Sequence, residues 1–143
     1  MDVKINVDEG VDDLQLNGLK LIQKQQGFRF GVDAVLLSHF ANIKSRHRVI
    51  DLCTGTGIVP FLAYGKYAPK EVIGLEIQED MVEMANRSSV LNNTTDIVKF
   101  VHGDLKDKSL LDSLGKFDVL TVNPPYKLNN AGIINPNDKL AIA

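Results

Sequence analysis

At 143 residues, the chain is long enough for one domain and too short for two complete ones. Its 16 basic and 18 acidic residues leave a formal net charge of -2, which excludes a uniformly basic nucleic-acid-binding protein. The single cysteine excludes a disulfide framework and an all-cysteine metal site. The sequence has no apolar run of about 18 residues and no signal-peptide pattern, so we expect a cytoplasmic protein without a membrane partner.

Charge is unevenly distributed along the chain. Residues 1–13 carry five acids and one lysine, whereas residues 14–48 carry six lysines and arginines and one acid. The acidic segment 1–13 is weakly patterned, so we expect a flexible N-terminus that is frayed or at most a marginal helix. The basic segment 14–48 could form a phosphate-binding face, although a solvated surface would have the same composition.

The chain is next predicted to form a hairpin followed by alternating helices and strands. Residues 19–23 and 28–30 are predicted as the two strands of the hairpin, with residues 24–27 as its turn. Apolar spacing and turn residues then predict helix 32–40, strand 48–52, helix 58–67, strand 71–76, helix 78–91, strand 97–101, helix 109–114 and strand 117–122. This order is typical of an α/β fold with an open parallel sheet, right-handed crossovers and helices on both faces.

The predicted sheet stops at four strands. Only twenty-one residues follow strand 117–122, and residues 128–143 are rich in Asn, Pro and Gly. The fourth strand would be an apolar edge, which soluble proteins usually cover. We therefore expect residues 1–143 to be a single, incomplete domain, unless the tail folds back or a second copy pairs with this edge.

A glycine-rich turn, Asp51-Leu-Cys-Thr-Gly-Thr-Gly57, follows the first strand of the predicted sheet. Gly55 and Gly57 permit a sharp bend and the close approach of a ligand to the start of the next helix. Nineteen residues after Gly57, Glu76 ends the second strand, where a carboxylate can accept hydrogen bonds from both hydroxyls of an adenosine ribose. These residues predict a site for a cofactor that contains adenosine.

Two nucleoside cofactors fit that arrangement, and the turn favours one of them. A dinucleotide fingerprint requires a third glycine where this chain has Pro60, and it rarely has an acid at the position of Asp51. S-adenosyl-L-methionine has no pyrophosphate, and Asp51 can hold its methionine ammonium directly or through water. The sequence therefore favours S-adenosylmethionine over NAD.

An acid followed by alternating glycines resembles the first motif of class I S-adenosylmethionine-dependent methyltransferases, with Cys53 at the place of that family's first glycine. The resemblance implies a Rossmann-like fold. It also implies that Asp104 contacts the adenine amine and that Leu105 packs on the base. The alternative for Asp104 is a capping residue for the helix predicted at 109–114.

A second motif, Asn123-Pro-Pro-Tyr126, follows the fourth strand at the sheet edge where ligands of open α/β sheets bind. The Asn123 side-chain oxygen and the Pro124 carbonyl can each accept one N–H of a planar amine, which turns its lone pair toward the sulfonium methyl group. Tyr126 offers an aromatic face for a base. No metal is needed, because the sulfonium is already an activated electrophile. The tetrapeptide resembles the signature of methyltransferases that act on adenine in DNA or RNA, or on the glutamine amide of release factors.

The segment before the cofactor turn favours an RNA substrate. Residues 27–37 are similar to the corresponding segment of bacterial tRNA adenine-N6 methyltransferases that modify a valine tRNA, and the resemblance covers about residues 14–126. It implies that residues 28–33 form part of a lid over the cofactor, with Phe30 and Asp33 as contacts. Glutamine methyltransferases usually have a long helical domain there, whereas 50 residues precede Asp51. We expect a tRNA partner; the alternatives are a glutamine methyltransferase and a non-catalytic cofactor-binding or RNA-binding fragment.

Overall fold

The computed structural model describes residues 2–27 and 30–124. These residues form an antiparallel hairpin, a parallel four-stranded sheet and four helices. The strands are β1 (Glu9–Asp13), β2 (Lys20–Lys24), β3 (Arg48–Leu52), β4 (Glu71–Glu76), β5 (Val98–His102) and β6 (Val119–Val122). The helices are α1 (Val32–Phe40), α2 (Ile58–Tyr67), α3 (Glu79–Leu91) and α4 (Lys108–Ser113). From α1 to β6, the predicted elements are confirmed with boundaries that agree within two residues.

The order of the strands in the parallel sheet is β5-β4-β3-β6. The chain builds outward from β3 to β5 and then returns to the other side of β3, so the strand order reverses beside β3. Ligands of open α/β sheets bind at the carboxyl ends of strands next to such a reversal. Asp51, at this end of β3, is in register with Gly74 of β4 and Thr121 of β6. Within the described residues, β6 is paired on one side only.

The main core lies between the sheet and helices α1 to α3. The ring centroids of Phe61 on α2 and Phe100 on β5 are 5.6 Å apart, in a cluster of buried side chains from these helices and β5. Phe100 explains why residue 57 is glycine, since an added Cβ would lie 2.5 Å from its Cζ. Gly57 also has a φ of 93°, in the left-handed region that favours glycine. None of the four described helices combines the length and the apolar character that a membrane span requires.

The predicted hairpin is present, but its strands differ from those predicted. β2 pairs with β1, with Glu9 opposite Lys24 and Asp13 opposite Lys20. Part of the acidic segment expected to be frayed or weakly helical is therefore a strand. The predicted returning strand 28–30 is wrong at Phe30, which lies in irregular structure, and residues 28 and 29 lie outside the described residues.

A buried ion pair joins β1 to α3. The Glu9 side chain is only 2% exposed, and its carboxylate accepts hydrogen bonds from both terminal nitrogens of Arg87 at 2.7 and 2.8 Å. The Arg87 guanidinium is the main cause that lowers the pKa of Glu9 to about 2. Because this partner lies 78 residues away along the chain, local sequence patterns do not reveal it.

Candidate functional site at the carboxyl edge of the sheet

A cavity opens where β3, β4 and β6 end. Side chains and backbone from distant parts of the chain line it together. Among them are six of the predicted site residues: Phe30, Asp51, Gly55, Glu76, Asn123 and Pro124. A second cavity is lined by Asp104 and Leu105 and shares Cys53, Glu76 and Pro124 with the first. The two cavities therefore adjoin, and together they form a groove across the strand ends.

Two of the predicted site residues that the structure describes, Gly57 and Asp33, do not line this groove. Gly57 lines neither cavity, because it packs on Phe100 at the start of α2. Asp33 is exposed in the first turn of α1 and lines neither cavity, so of the predicted lid contacts only Phe30 faces the groove. Tyr126 lies outside the described residues.

Asp51 lies at the end of β3 with 2% of its surface exposed. Its Oδ2 accepts a hydrogen bond from Thr54 Oγ1, and its Oδ1 accepts one from Thr121 Oγ1, both at 2.6 Å. Burial raises the pKa of Asp51 to about 6; the two hydroxyls oppose this rise and the charge of Glu76 adds to it. At neutral pH the group is mainly an anion in a largely apolar wall, which favours a cationic ligand.

Glu76, at the end of β4, is 3% exposed and tied to the backbone. Its Oε2 accepts a hydrogen bond from the Gly55 N–H at 2.8 Å, and its Oε1 accepts one from the Gln78 N–H at 3.0 Å. An ionised carboxylate has about four acceptor positions, so capacity remains for the hydroxyl groups of a ligand. Gly55 has a φ of 59°, and no atom lies within 4 Å of the place where a Cβ would stand, which leaves open space beside the turn.

Cys53 contributes to the wall shared by the two cavities. Its φ of 56° lies in the left-handed region, which a glycine would adopt with less strain. Burial raises the pKa of the Cys53 thiol, and the charges of Glu76 and Asp51 add to that rise. The thiol is therefore neutral at pH 7 and is a poor nucleophile. Among the described residues, no group of three or more His, Cys, Asp or Glu side chains is placed to hold a metal ion.

Asp104 and Leu105 follow β5 at the rim of the second cavity, and Leu105 is 43% exposed. Asp104 Oδ1 accepts a hydrogen bond from the Lys106 N–H at 2.8 Å. The residue that caps α4 is Asp107, whose carboxylate accepts a hydrogen bond from the Leu110 N–H at 3.1 Å. The capping alternative for Asp104 is therefore wrong, and its side chain belongs to the rim of the groove.

Sequence reasoning missed the two hydroxyls that hold Asp51. Thr54 is part of the glycine-rich turn, and Thr121 lies on β6 two residues before Asn123. Both are buried, and a buried hydroxyl requires a hydrogen-bond partner. The sequence does show a threonine, Thr121, within an apolar strand, which indicates a buried hydroxyl. Its hydrogen-bond partner, however, follows only from the register of β3 and β6.

Of the basic residues of segment 14–48, the five that the structure describes do not line the groove, and Arg29 lies outside the described residues. Arg48 begins β3, at the end opposite Asp51, and its Nε donates to an acid of β4 at 2.7 Å. Lys44 and Arg46 precede β3 and therefore lie at that same far end. Lys24 is paired with an acid of the N-terminal segment at 2.5 Å. The predicted phosphate-binding face of this segment therefore stays a prediction.

Solved structures of other proteins share this fold. TrmN from Thermus thermophilus matches with a TM-score of 0.58 and 23% identity, over 66% of this chain and 28% of that chain. A dimethyladenosine transferase from Plasmodium falciparum matches with a TM-score of 0.58 and 23% identity, over 73% of this chain and 35% of that chain. These likenesses concern the fold alone, and they confirm the predicted Rossmann-like α/β architecture.

Curated relatives include enzymes of two substrate classes. A tRNA1(Val) (adenine(37)-N6)-methyltransferase from Bacteroides thetaiotaomicron is 32% identical over 99 residues, which is 68% of this chain and 40% of the relative. A putative protein N5-glutamine methyltransferase from Methanocaldococcus jannaschii is 29% identical over 114 residues, which is 79% of this chain and 54% of the relative. The chain thus spans about half the length of these relatives or less.

A family model described as a methyltransferase domain matches residues 43–140, which is more than half of the chain. The matched segment contains Asp51, Glu76, Asp104 and Asn123, and thus most of the groove. The match confirms the predicted S-adenosylmethionine-dependent methyltransferase at the level of the family, with S-adenosylmethionine as the family's cofactor. The chain therefore belongs to the methyltransferase domain family.

Proposed function

We propose that this chain binds S-adenosyl-L-methionine in the groove and transfers its methyl group to the exocyclic amine of adenine in tRNA. The observation that carries the proposal is the meeting of Asp51, Glu76 and Asn123 at one cavity, each from the end of a different strand. The two carboxylates suit a ligand that has both a cationic group and a ribose diol. The amide suits a target that presents N–H groups.

The chemistry of the groove changes along its length in the same order as the parts of the cofactor. Asp51 would face the methionine ammonium, since it is a buried anion. Glu76, with free acceptor capacity, would accept hydrogen bonds from the ribose hydroxyls. Leu105 would pack on the adenine ring, and Asp104 at the rim would accept a hydrogen bond from the adenine amine. When bound, the cofactor supplies a methyl group that is activated by the positively charged sulfur.

The protein's contribution to the transfer is to hold the target amine. The Asn123 side-chain oxygen and the Pro124 carbonyl would each accept one N–H of the amine, which directs the nitrogen lone pair toward the methyl donor. The same two oxygens would stabilise the positive charge that develops on the nitrogen. Proline has no N–H, so Pro124 presents a carbonyl without a competing donor. Tyr126 is proposed to stack on the base.

Adenine in tRNA is the first candidate substrate. Support comes from the tRNA adenine methyltransferase relative from Bacteroides and from the resemblance of residues 27–37, of which Phe30 and Gly31 line the cavity. The second candidate is the side-chain amide of glutamine in a protein. The archaeal glutamine methyltransferase relative, which matches 79% of this chain, favours it.

Labelled cofactor distinguishes these candidates directly. The chain would be incubated with methyl-labelled S-adenosylmethionine and either unmodified valine tRNA or a bacterial release factor. We expect label in N6-methyladenine of the tRNA. Label in a glutamine of the release factor would replace the first candidate with the second. Cofactor binding without transfer to either would contradict the proposed catalysis and identify a non-catalytic cofactor-binding domain.

A further inference from the structure

A hydrogen-bonded bridge joins the cofactor turn to the strand that leads to Asn123. Thr121 on β6 is in register with Asp51 on β3, and its Oγ1 donates to Asp51 Oδ1 at 2.6 Å. Both residues are 2% exposed. One residue separates Thr121 from Asn123, which lines the same cavity as Asp51. The bridge therefore connects the two halves of the site through a single buried hydroxyl.

The sheet does not need this hydroxyl in order to form. Backbone pairing already joins β3 and β6 over four consecutive residue pairs. Valine has nearly the same shape as threonine and would leave no buried hydroxyl that needs a partner. The hydroxyl must therefore be explained by what it binds, which is the carboxylate of Asp51.

Two hydroxyls together constrain the Asp51 carboxylate. Thr54 donates to Oδ2 and Thr121 donates to Oδ1, so the plane of the carboxylate is held at both oxygens. An ionised carboxylate only accepts hydrogen bonds, whereas a protonated one carries a donor of its own. Two donors directed at its two oxygens therefore favour the ionised form.

The other groups that face Asp51 act against ionisation. Glu76 on β4 brings a second negative charge, and burial removes the carboxylate from water. The Cys53 thiol in the turn is neutral at pH 7. Of the groups that act on the pKa of Asp51, the two threonine hydroxyls are the ones that favour the anion.

We propose that Thr121 is a positioning residue for the cofactor, which acts through Asp51 by holding its carboxylate ionised and in a fixed plane at the cavity wall. This inference rests on the proposed function, because it takes the cationic end of S-adenosylmethionine as the ligand of Asp51. Thr54 belongs to the turn that carries Asp51, whereas Thr121 belongs to the strand before Asn123. Thr121 thus links the placement of the methyl donor to the placement of its acceptor.

The direct test is a titration of the Asp51 side-chain carboxyl by carbon NMR in the full chain without ligand. Thr121→Val removes the hydroxyl and keeps the shape, and Thr121→Ser restores a donor. Thr94→Val is the matched control, because Thr94 is 3% exposed and its hydroxyl bonds to Ser89 instead. We expect Thr121→Val to move the Asp51 midpoint from about 6 to about 7, and the other two variants to leave it in place.

Cofactor binding supplies the second readout. With Thr121→Val, we expect the loss of affinity for S-adenosylmethionine to be about threefold greater near pH 6.5 than near pH 8.5, because the ionised fraction of Asp51 differs only at the lower pH, whereas any loss from a freed carboxylate plane is the same at both. Equal weakening at both pH values would overturn the proposal and leave Thr121 a purely structural role. So would an unchanged Asp51 midpoint.

Two further outcomes are informative. If Thr121→Val does not fold, the NMR titration of the unsubstituted protein tests the proposal instead. The side-chain resonances of Thr121 must then shift with the Asp51 titration, while those of Thr94 must not. Thr121 resonances that ignore this titration would overturn the inference. If the unsubstituted chain binds no S-adenosylmethionine at any pH, the proposed function fails. The ligand-free titration then still decides whether Thr121 controls the ionisation of Asp51.

Discussion

Two buried carboxylates, Asp51 and Glu76, share the wall of the groove at the strand ends, and different donors hold them. Asp51 is bound by two side-chain hydroxyls, whereas Glu76 is bound by two backbone N–H groups. Backbone donors are fixed by the fold, but each hydroxyl depends on one side chain. At the scale of single residues, replacing one threonine can therefore alter the ionisation of Asp51. The backbone donors of Glu76 cannot be removed by replacing a side chain.

The first prediction concerns pH. Because the pKa of Asp51 is about 6, the anion proposed to bind the methionine ammonium is lost as the pH falls through that value. We expect calorimetry to show S-adenosylmethionine affinity that is constant above about pH 7 and falls below about pH 6. Asp51→Asn should bind weakly throughout and lose the pH dependence. An affinity in the unsubstituted chain that does not change over this range would contradict the assignment.

The same raised pKa has the opposite consequence for folding. The folded state binds this proton more tightly than the unfolded state does, so the contribution of Asp51 to stability is complete below about pH 4 and lost as the pH rises through about 6. A buried Asp51 anion thus makes the folded protein less stable at neutral pH than the protonated group would.

A second prediction at this scale concerns Glu76. Glu76→Ala should weaken S-adenosylmethionine binding by about 1–3 kcal/mol, because a charged acceptor for the ribose hydroxyls is lost. Calorimetry measures the change, and circular dichroism checks that the fold is retained. Glu79→Ala is the control, since Glu79 is an exposed acid three residues further along, in the first turn of α3. Unchanged affinity in Glu76→Ala would reject the ribose contact.

The third prediction separates target binding from cofactor binding. Asn123→Ala should abolish methyl transfer, because an acceptor for the target amine is removed, while the Kd for S-adenosylmethionine stays within about twofold. Transfer of labelled methyl groups and calorimetry measure the two properties. Asn86→Ala, on α3 and outside the groove, should change neither. Loss of both in Asn123→Ala would make Asn123 a cofactor ligand or a structural residue.

At the scale of elements, the hairpin is anchored by charge as well as by apolar packing. β2 buries Leu21 and Ile22 completely, and β1 reaches α3 through the Glu9–Arg87 pair. β2 also leads toward the segment in which Phe30 and Gly31 line the cavity.

The fourth prediction tests this anchor. Glu9→Gln should lower the free energy of unfolding by about 2 kcal/mol at neutral pH, because charged hydrogen bonds to Arg87 are lost. Since the pKa of Glu9 is lowered to about 2, its contribution is present above about pH 4.5 and disappears as the pH falls through about 2. Urea unfolding at several pH values measures the free energy of unfolding of the unsubstituted protein and of Glu9→Gln. The two values should differ at neutral pH and become equal as the pH falls toward 2.

Glu83→Gln provides the comparison for the anchor. Glu83 also pairs with Arg87, but its side chain is 58% exposed, so its loss should change stability by less than about 1 kcal/mol. Equal destabilisation by the two substitutions would show that burial of Glu9 adds nothing. In that case the charged contact would not explain why β1 forms.

At the scale of the whole molecule, β6 is an edge strand of the described sheet that carries exposed apolar side chains. Leu120 is 59% exposed and Val122 is 40% exposed. Sheet edges of this kind tend to pair with another strand.

The fifth prediction is therefore that the 143-residue chain self-associates at high concentration and that Leu120→Lys weakens the association, as measured by sedimentation velocity. Val7→Lys, at a site 99% exposed in the N-terminal segment, should have no effect. A chain that remains monomeric at all concentrations would contradict this role for the edge.

The amino-acid sequence by itself determined the alternation of helices and strands from α1 to β6 and the places of the glycine turn and Asn123. These features depend on apolar spacing and turn residues within about 15 positions, so they are visible locally. It also identified the acids at the strand ends, because parallel strands bring their carboxyl ends to one edge.

Only the tertiary structure decided which distant residues meet. It paired β1 with β2, placed Arg87 on Glu9, packed Phe100 against Gly57 and set Thr121 on Asp51. The Thr121–Asp51 bridge spans 70 positions of sequence and depends on strand register. A shift of register by one residue would turn Thr121 to the other face of the sheet. The local pattern around Thr121 contains no information on that register, because the pairing of β3 with β6 is set by the packing of the whole sheet.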